Sequence, residues 1–175
     1  MPKISDPAPE WRTVQWFNSH EPLSLERLSG RVIVLYAFQM LCPGCVSHAL
    51  PQAKRLRETF GEQQVAVIGL HTVFEHHEAN SPKTLAAFLH ENRIDFPVGI
   101  DAPGADGGIP ETMRAYIMQG TPTVVLIDGQ GRLRRQYFGH VPDLRLGAET
   151  ALLLTGAEPA LSADVAAGGA VCPTP

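Results

Sequence analysis

The sequence predicts an α/β fold with a largely parallel central sheet, and three observations lead there. Apolar, β-branched runs at Val32–Phe38, Val65–Leu70 and Thr123–Ile127 have the composition of strands buried on both faces. Segments of helical periodicity alternate with these runs, which is how parallel neighbours are connected. The stretch Asp128-Gly129-Gln130-Gly131 marks a hairpin turn, adding antiparallel strands at one side.

In chain order, residues 1–10 carry three prolines and read as an extended lead-in. Val14 to Phe17 suits a short strand, and Leu23, Leu25 and Leu28 precede Gly30, a turn signal. After the first buried run comes Cys42-Pro43-Gly44-Cys45. A helical pattern then runs from about Val46 to Phe60, with Val46, Ala49, Leu50, Ala53 and Leu56 on one stripe and Gly61 as its stop. His71 to Asn80 reads as a polar, histidine-rich loop. Ser81 is an N-cap with Pro82 at the first helical position, and Leu85, Ala86, Phe88 and Leu89 form the apolar stripe. Phe96 to Ile100 suits a strand, Asp101 to Pro110 is turn-rich, and Glu111 to Met118 is a short helix. Leu133 to Phe138 returns from the hairpin, and a closing helix covers about Pro142 to Leu154. The main domain therefore spans 11–155, and the Ala-, Gly- and Pro-rich residues 156–175 read as a flexible tail.

Bulk properties narrow the function. A chain of 175 residues forms one domain whose core needs no disulfide staples. The net charge of −4 lacks the basic face of a nucleic-acid module. No stretch approaches the roughly 18 uncharged apolar residues of a membrane span. The N-terminus carries charges and prolines where a secretory leader would be apolar, so the protein reads as cytoplasmic. Three cysteines are too few for a disulfide framework, and in a reducing compartment a close pair is catalytic or metal-binding.

Cys42 and Cys45 stand three residues apart where a helix begins, close enough for a disulfide. The helix N-terminus offers unpaired N–H groups and the positive end of the dipole, both favouring a thiolate. Cys42 should feel this most and is expected to be the exposed nucleophile with a lowered pKa. Cys45, a turn inward, is expected to resolve the mixed disulfide. Pro43 suits the first helical position, and Gly44 leaves the backbone open to a docking substrate.

With the strand running straight into the dithiol (VIVLYAFQMLCPGC), Gly120-Thr121-Pro122-Thr123 before an apolar strand, and Phe138-Gly139 before the last helix, the sequence resembles the thioredoxin-like superfamily. Within it, the resemblance is to TlpA-like and AhpC/TSA-type redoxins, and it covers about Trp11 to Leu154. It implies a three-layer α/β/α fold with a mixed central sheet, an N-terminal extension and a central insertion at about Glu75 to Phe96. It also implies a cis proline at Pro122 against the dithiol, and a Thr121 backbone that docks a substrate strand. The chain departs from the family at four places. Leu41 replaces a Trp before the first cysteine, and Tyr36 replaces a buried acid. His48 stands where TlpA-like proteins often have Glu, and Pro51 lies one residue late.

The reading is a thiol–disulfide oxidoreductase, acting as a disulfide reductase without a bound cofactor. Its partners are protein or small-molecule disulfides and a dithiol electron donor. His48 is a candidate proton relay near neutral pH. Two alternatives stand beside this reading. A thiol peroxidase would need Thr or Ser three residues before its reactive cysteine, a place held by Gln39 for Cys42 and by Cys42 for Cys45. A copper-binding module could use the two cysteines with a histidine of the His71–Glu78 loop, although that loop reads first as a solvated one. Cys172 falls in the tail and is expected to have no role, with a third thiol that shuttles electrons or links two chains as the other option.

Overall fold

The computed structural model describes residues 4–105, 107–156 and 172–173. Its strands are β1 (Thr13–Phe17), β2 (Val32–Phe38), β3 (Val65–His71), β4 (Val98–Asp101), β5 (Gly120–Thr121), β6 (Thr123–Ile127), β7 (Leu133–Phe138) and β8 (Cys172–Pro173). Six of them form a central mixed sheet in the order β1-β4-β3-β2-β6-β7, and β5 joins β8 in a separate two-stranded ribbon. The helices are α1 (Leu50–Thr59), α2 (Pro82–Glu91), α3 (Glu111–Ala115) and α4 (Asp143–Leu154).

The sheet is less parallel than the alternation of elements predicted. β2 pairs in parallel with β3, and β3 with β4, while β6 and β7 are antiparallel as expected of the hairpin. The difference lies at the other edge, where β1 runs antiparallel to β4. That strand arrives from the N-terminal extension without a crossover helix, so nothing obliges it to run parallel.

Side-chain alternation along β2 sorts the core into two layers. Val32, Val34, Tyr36 and Phe38 face α1, α2 and α4, packing against Ala53, Leu56, Leu85, Leu89, Leu146 and Leu153. Ile33, Leu35 and Ala37 face the other way, toward Trp11, Leu25, Leu28 and, from α3 and its C-terminal turn, Met113 and Tyr116. All seven β2 residues are buried, which accounts for the unbroken apolar run.

The lead-in is fixed along the hairpin by Ser5 N–H to Leu133 O at 2.7 Å and Ala8 N–H to Gly131 O at 2.9 Å. Gly30 takes φ +86° in the turn before β2, a conformation glycine adopts without strain. Ser81 caps α2 as expected, its Oγ accepting the Thr84 N–H at 3.2 Å. Ala86 is exposed rather than on the packed stripe, which Leu85 and Leu89 form. Strand β4 starts at Val98, two residues later than predicted, and α3 stops at Ala115.

The cap of α3 is unusual. Its N-cap is Pro110, which has no side-chain acceptor. The buried carboxylate of Asp101, at the end of β4, replaces one by accepting from Thr112 N–H at 2.8 Å, Met113 N–H at 3.0 Å and Thr72 Oγ1–H at 3.0 Å. One side chain thus ties β3, β4 and α3 together just before the chain enters β5.

The helix after the dithiol also differs from its predicted form. Residues Cys45–Ala49 make a π-helical turn, and the α-helix proper begins at Leu50. Pro51 has no N–H to continue the ordinary ladder, and Leu50 N–H reaches back five residues to Cys45 O. The wider turn shifts the phase of the stripe. Cys45 and Ala49 point inward, and Val46, expected on the buried face, is exposed.

Candidate active site

β2 delivers the chain to Cys42 at the sheet edge where the parallel strands end. Cys42 occupies the N-cap place of the helical segment, with Pro43 and Gly44 as its first residues. Its Sγ accepts the Cys45 N–H at 3.3 Å, and its carbonyl accepts from Cys45 and Val46 N–H at 3.1 Å each. A sulfur thus does the work of a capping oxygen, and it lies at the positive end of the helical segment.

Both sulfurs are free thiols, and both are buried. The sequence predicted an exposed Cys42, yet only 1% of it is accessible. β5 and β8 account for the difference. Thr121 approaches from one side, its carbonyl accepting from Cys42 Sγ–H at 3.5 Å when that thiol is protonated. Cys172, in the segment read as a free tail, pairs with Thr121 and packs against the core cluster that contains Cys42. The remainder of the predicted tail after Gly156 lies outside the described residues.

The environment splits the two thiols. Cys42 is lowered to about 6, chiefly by a hydrogen bond from the Cys45 thiol, with burial opposing and the Thr121 side chain, the Cys45 N–H and Cys172 assisting. Cys45 is driven far upward, first by burial and then by its coupling to Cys42. At neutral pH the arrangement holds one proton between two sulfurs, carried by Cys45. The arrangement favours a thiolate on Cys42 and keeps Cys45 as a buried thiol beside it.

Thr121 Oγ1 is buried with no hydrogen-bond partner among the described residues, so its proton is available to the dithiol, whose Cys42 it helps to acidify. Replacing Thr121 by Val removes that donor. The ultraviolet thiolate absorbance of the reduced protein should titrate near pH 6 in the wild type and at higher pH in Thr121→Val. An unchanged midpoint would show that this hydroxyl does not act on Cys42.

Pro122 is cis, as the resemblance implied. It is buried with Thr121, and its carbonyl accepts from Gly139 N–H at 2.8 Å. This bond links the dithiol's neighbour to the Phe138-Gly139 motif. Pro43 is exposed and Gly44 buried. His48 lies on the exposed side of the π turn, its ring centroid 5.1 Å from that of His140.

Tyr36 is fully buried in the core as expected of a packing residue, and burial raises its hydroxyl far above the ordinary range. Its Oη–H donates to Gln52 Oε1 at 3.4 Å, and Gln52 Nε2–H donates in turn to Asp143 Oδ1 at 2.7 Å. A neutral phenol thus occupies the place where the family has an acid.

The histidine-rich loop is shorter than predicted. His71 is the last residue of β3, fully buried, with Nε2 3.3 Å from Asn80 Oδ1 and burial lowering its pKa to about 4. His76 and His77 are exposed. Among the described residues, no group of three or more His, Cys, Asp or Glu could hold a metal ion.

Two contributors escaped sequence reasoning. Buried Gln39 receives the Phe74 N–H on its Oε1 at 3.4 Å and donates to Glu75 Oε1 at 3.3 Å, fastening the loop after β3 to the dithiol. The other is the place of Cys172, since nothing local in the sequence links it to residues some fifty positions away.

The sequence and the fold have known counterparts. The sequence matches the AhpC/TSA family over residues 4–136. A crystal structure of a thioredoxin-like superfamily protein is 58% identical, superposes with a TM-score of 0.84, and spans 90% of this chain and 100% of its own. The structure of a thiol-disulfide isomerase from Corynebacterium glutamicum is 46% identical, with a TM-score of 0.81, over 85% of this chain and 96% of that one. A curated relative, NHL repeat-containing protein 2 of Bos taurus, is 25% identical over 143 residues, covering 81% of this chain but 19% of the relative. The chain thus spans about a fifth of that protein's length. With three-quarters of its residues matched and its thioredoxin-like architecture in view, the chain belongs to the AhpC/TSA family.

Proposed function

We propose that this chain is a thiol–disulfide oxidoreductase working as a disulfide reductase, with Cys42 as nucleophile and Cys45 as resolving thiol. The observation that carries the reading is the geometry at one helix start, two buried free thiols with Cys42 Sγ accepting the Cys45 N–H at 3.3 Å, and the opposite displacement of their acidities agrees with it. The Cys42 thiolate attacks a substrate disulfide, forming one S–S bond as the substrate's own breaks and its distal sulfur leaves as thiolate. The Cys45 thiol then loses its proton to that leaving sulfur or to solvent and attacks Cys42. The Cys42–Cys45 bond forms, and the substrate departs with both sulfurs reduced. A separate dithiol donor restores the pair. We place this cycle in the cytoplasm, on protein or small-molecule disulfides.

The acidity also supports the direction. Thioredoxin, with a nucleophile pKa of about 7, sits near −270 mV, and a strongly oxidising dithiol with a pKa of about 3.5 sits near −120 mV. Interpolating to the value of about 6 for Cys42 puts this couple near about −230 mV, on the reducing side. The peroxidase alternative finds no hydroxyl on Gln39, whose side chain is engaged by Phe74 and Glu75.

Reduction of insulin disulfides, with dithiothreitol as donor, tests the reading. The protein should accelerate reduction well above dithiothreitol alone while consuming hydrogen peroxide slowly. No acceleration, or fast peroxide turnover, would overturn it.

A further inference from the structure

The ribbon beside the dithiol is formed by the chain's own C-terminal segment. Cys172 and Pro173 pair antiparallel with Thr121 and Gly120, so the tail adds a strand at the backbone edge that a substrate strand would use. Gly120 makes the close approach feasible. A Cβ there would lie 2.0 Å from the Cys172 carbonyl oxygen and 2.7 Å from the Pro173 Cα, and the residue adopts φ +155°. Cys172 packs against both core layers rather than facing solvent alone. Its pairing partner Thr121 is the residue whose carbonyl lies 3.5 Å from Cys42 Sγ, and both Cys42 and the Glu75 carboxylate raise the pKa of its thiol. Glu75 is itself held by Gln39, whose carbonyl accepts the Cys42 N–H at 3.3 Å.

We propose that Cys172 is a third redox thiol, seated as a resident substrate, which exchanges with Cys42 and carries the disulfide out of the buried pair. The inference rests on the dithiol reading above. In the oxidised protein, Glu75 accepts the Cys172 proton, and the Cys172 thiolate attacks Cys42 Sγ. The Cys42–Cys172 bond forms, the Cys42–Cys45 bond breaks, and Cys45 leaves as a thiolate that takes up the proton. Two sulfurs are linked before and after, so no external oxidant is needed. In the reduced protein, burial and the nearby Cys42 charge push Cys172 up to about 12. Oxidation removes that charge, so the third thiol becomes easier to ionise in the state where it is needed. The external donor would then meet a disulfide on the C-terminal strand instead of one enclosed beneath it.

The test uses the full chain and its Cys45→Ser variant, each treated with stoichiometric diamide, quenched in acid, alkylated and mapped for linked peptides. Wild type should contain a Cys42–Cys172 link beside the Cys42–Cys45 link. In Cys45→Ser the Cys42–Cys172 link should be the main product, with a yield unchanged by dilution. A tethered thiol acts at an effective concentration on the order of millimolar, so a second chain at micromolar concentration competes poorly. In a Cys45→Ser/Glu75→Gln protein the same link should form at least about tenfold more slowly near neutral pH, reaching the same yield. An unchanged rate would remove Glu75 from the step. If Cys42–Cys45 closes and no Cys42–Cys172 link forms in either protein, the third-thiol role is wrong and the dithiol reading stands. Cys172 links found only between chains, with concentration-dependent yield, would likewise overturn the third-thiol role. If Cys42 forms no disulfide at all, the dithiol reading fails first and this inference falls with it.

Discussion

Replacing Cys42 by Ser should lower the proposed disulfide-reductase activity by on the order of 10³-fold or more, because the nucleophile assigned to Cys42 would have no substitute in the site. A serine hydroxyl has neither the acidity nor the nucleophilicity, and the Cys45 thiol is held protonated by burial and coupling. Replacing Cys45 instead should leave the first attack intact and block resolution. With Cys172 also replaced by Ser, so that it cannot resolve in its place, Cys45→Ser should accumulate mixed disulfides between Cys42 and substrate. Turnover assays and intact-mass measurement separate the two. Equal residual activity in Cys42→Ser and Cys45→Ser, with no trapped adduct, would mean that the two sulfurs do not play different parts.

Asp101→Ala should destabilise the protein by about 3 kcal/mol, since a buried acceptor serving three donors is removed at once. Two backbone N–H groups at the start of α3 and the Thr72 hydroxyl would be left in a dry site with no partner. For a domain of this size that corresponds to a fall in Tm of about 6 to 12 °C. Burial raises the Asp101 carboxyl above the usual range, against the lowering effect of its three donors. A raised carboxyl contributes stability that is present at low pH and lost as pH rises through its folded value. This residue therefore opposes the ordinary acid sensitivity of carboxylates. Asp101→Asn, which keeps one acceptor, should lose less than Asp101→Ala. If thermal unfolding shows Asp101→Ala within about 0.5 kcal/mol of wild type, the remote cap is not a structural tie.

The acidity of Cys42 has a stability consequence of opposite sign. Its folded pKa lies below the free-thiol value, so the thiolate contributes stability to the reduced protein above that value and loses it as pH falls through about 6. The oxidised protein has no thiolate at this position and should not show this loss.

What the sequence disclosed was what depends on neighbouring residues. The β2 run, the Cys42–Cys45 spacing, the Ser81 cap and the Asp128–Gly131 hairpin are all local patterns, and each is found in place. The Thr-Pro element was legible only through the resemblance to a family. What remained hidden depends on residues far apart. The N-cap of α3 comes from a strand about ten positions earlier, and β1 runs antiparallel because of where the extension docks. Val46 turned outward because Pro51, five residues on, forces a wider turn. Cys42 is covered by β5 and β8 around it, one of them from a segment whose composition reads as a free end.

The central claim is that Cys42 and Cys45 form one reversible two-electron couple on the reducing side. A glutathione redox titration at pH 7, read by alkylation and mass with Cys172 replaced by Ser, measures it directly. The result expected is a single transition near about −230 mV that disappears in Cys42→Ser. A transition near about −120 mV would contradict the reductase direction, and the absence of any intramolecular disulfide at every poise would contradict the exchange mechanism itself.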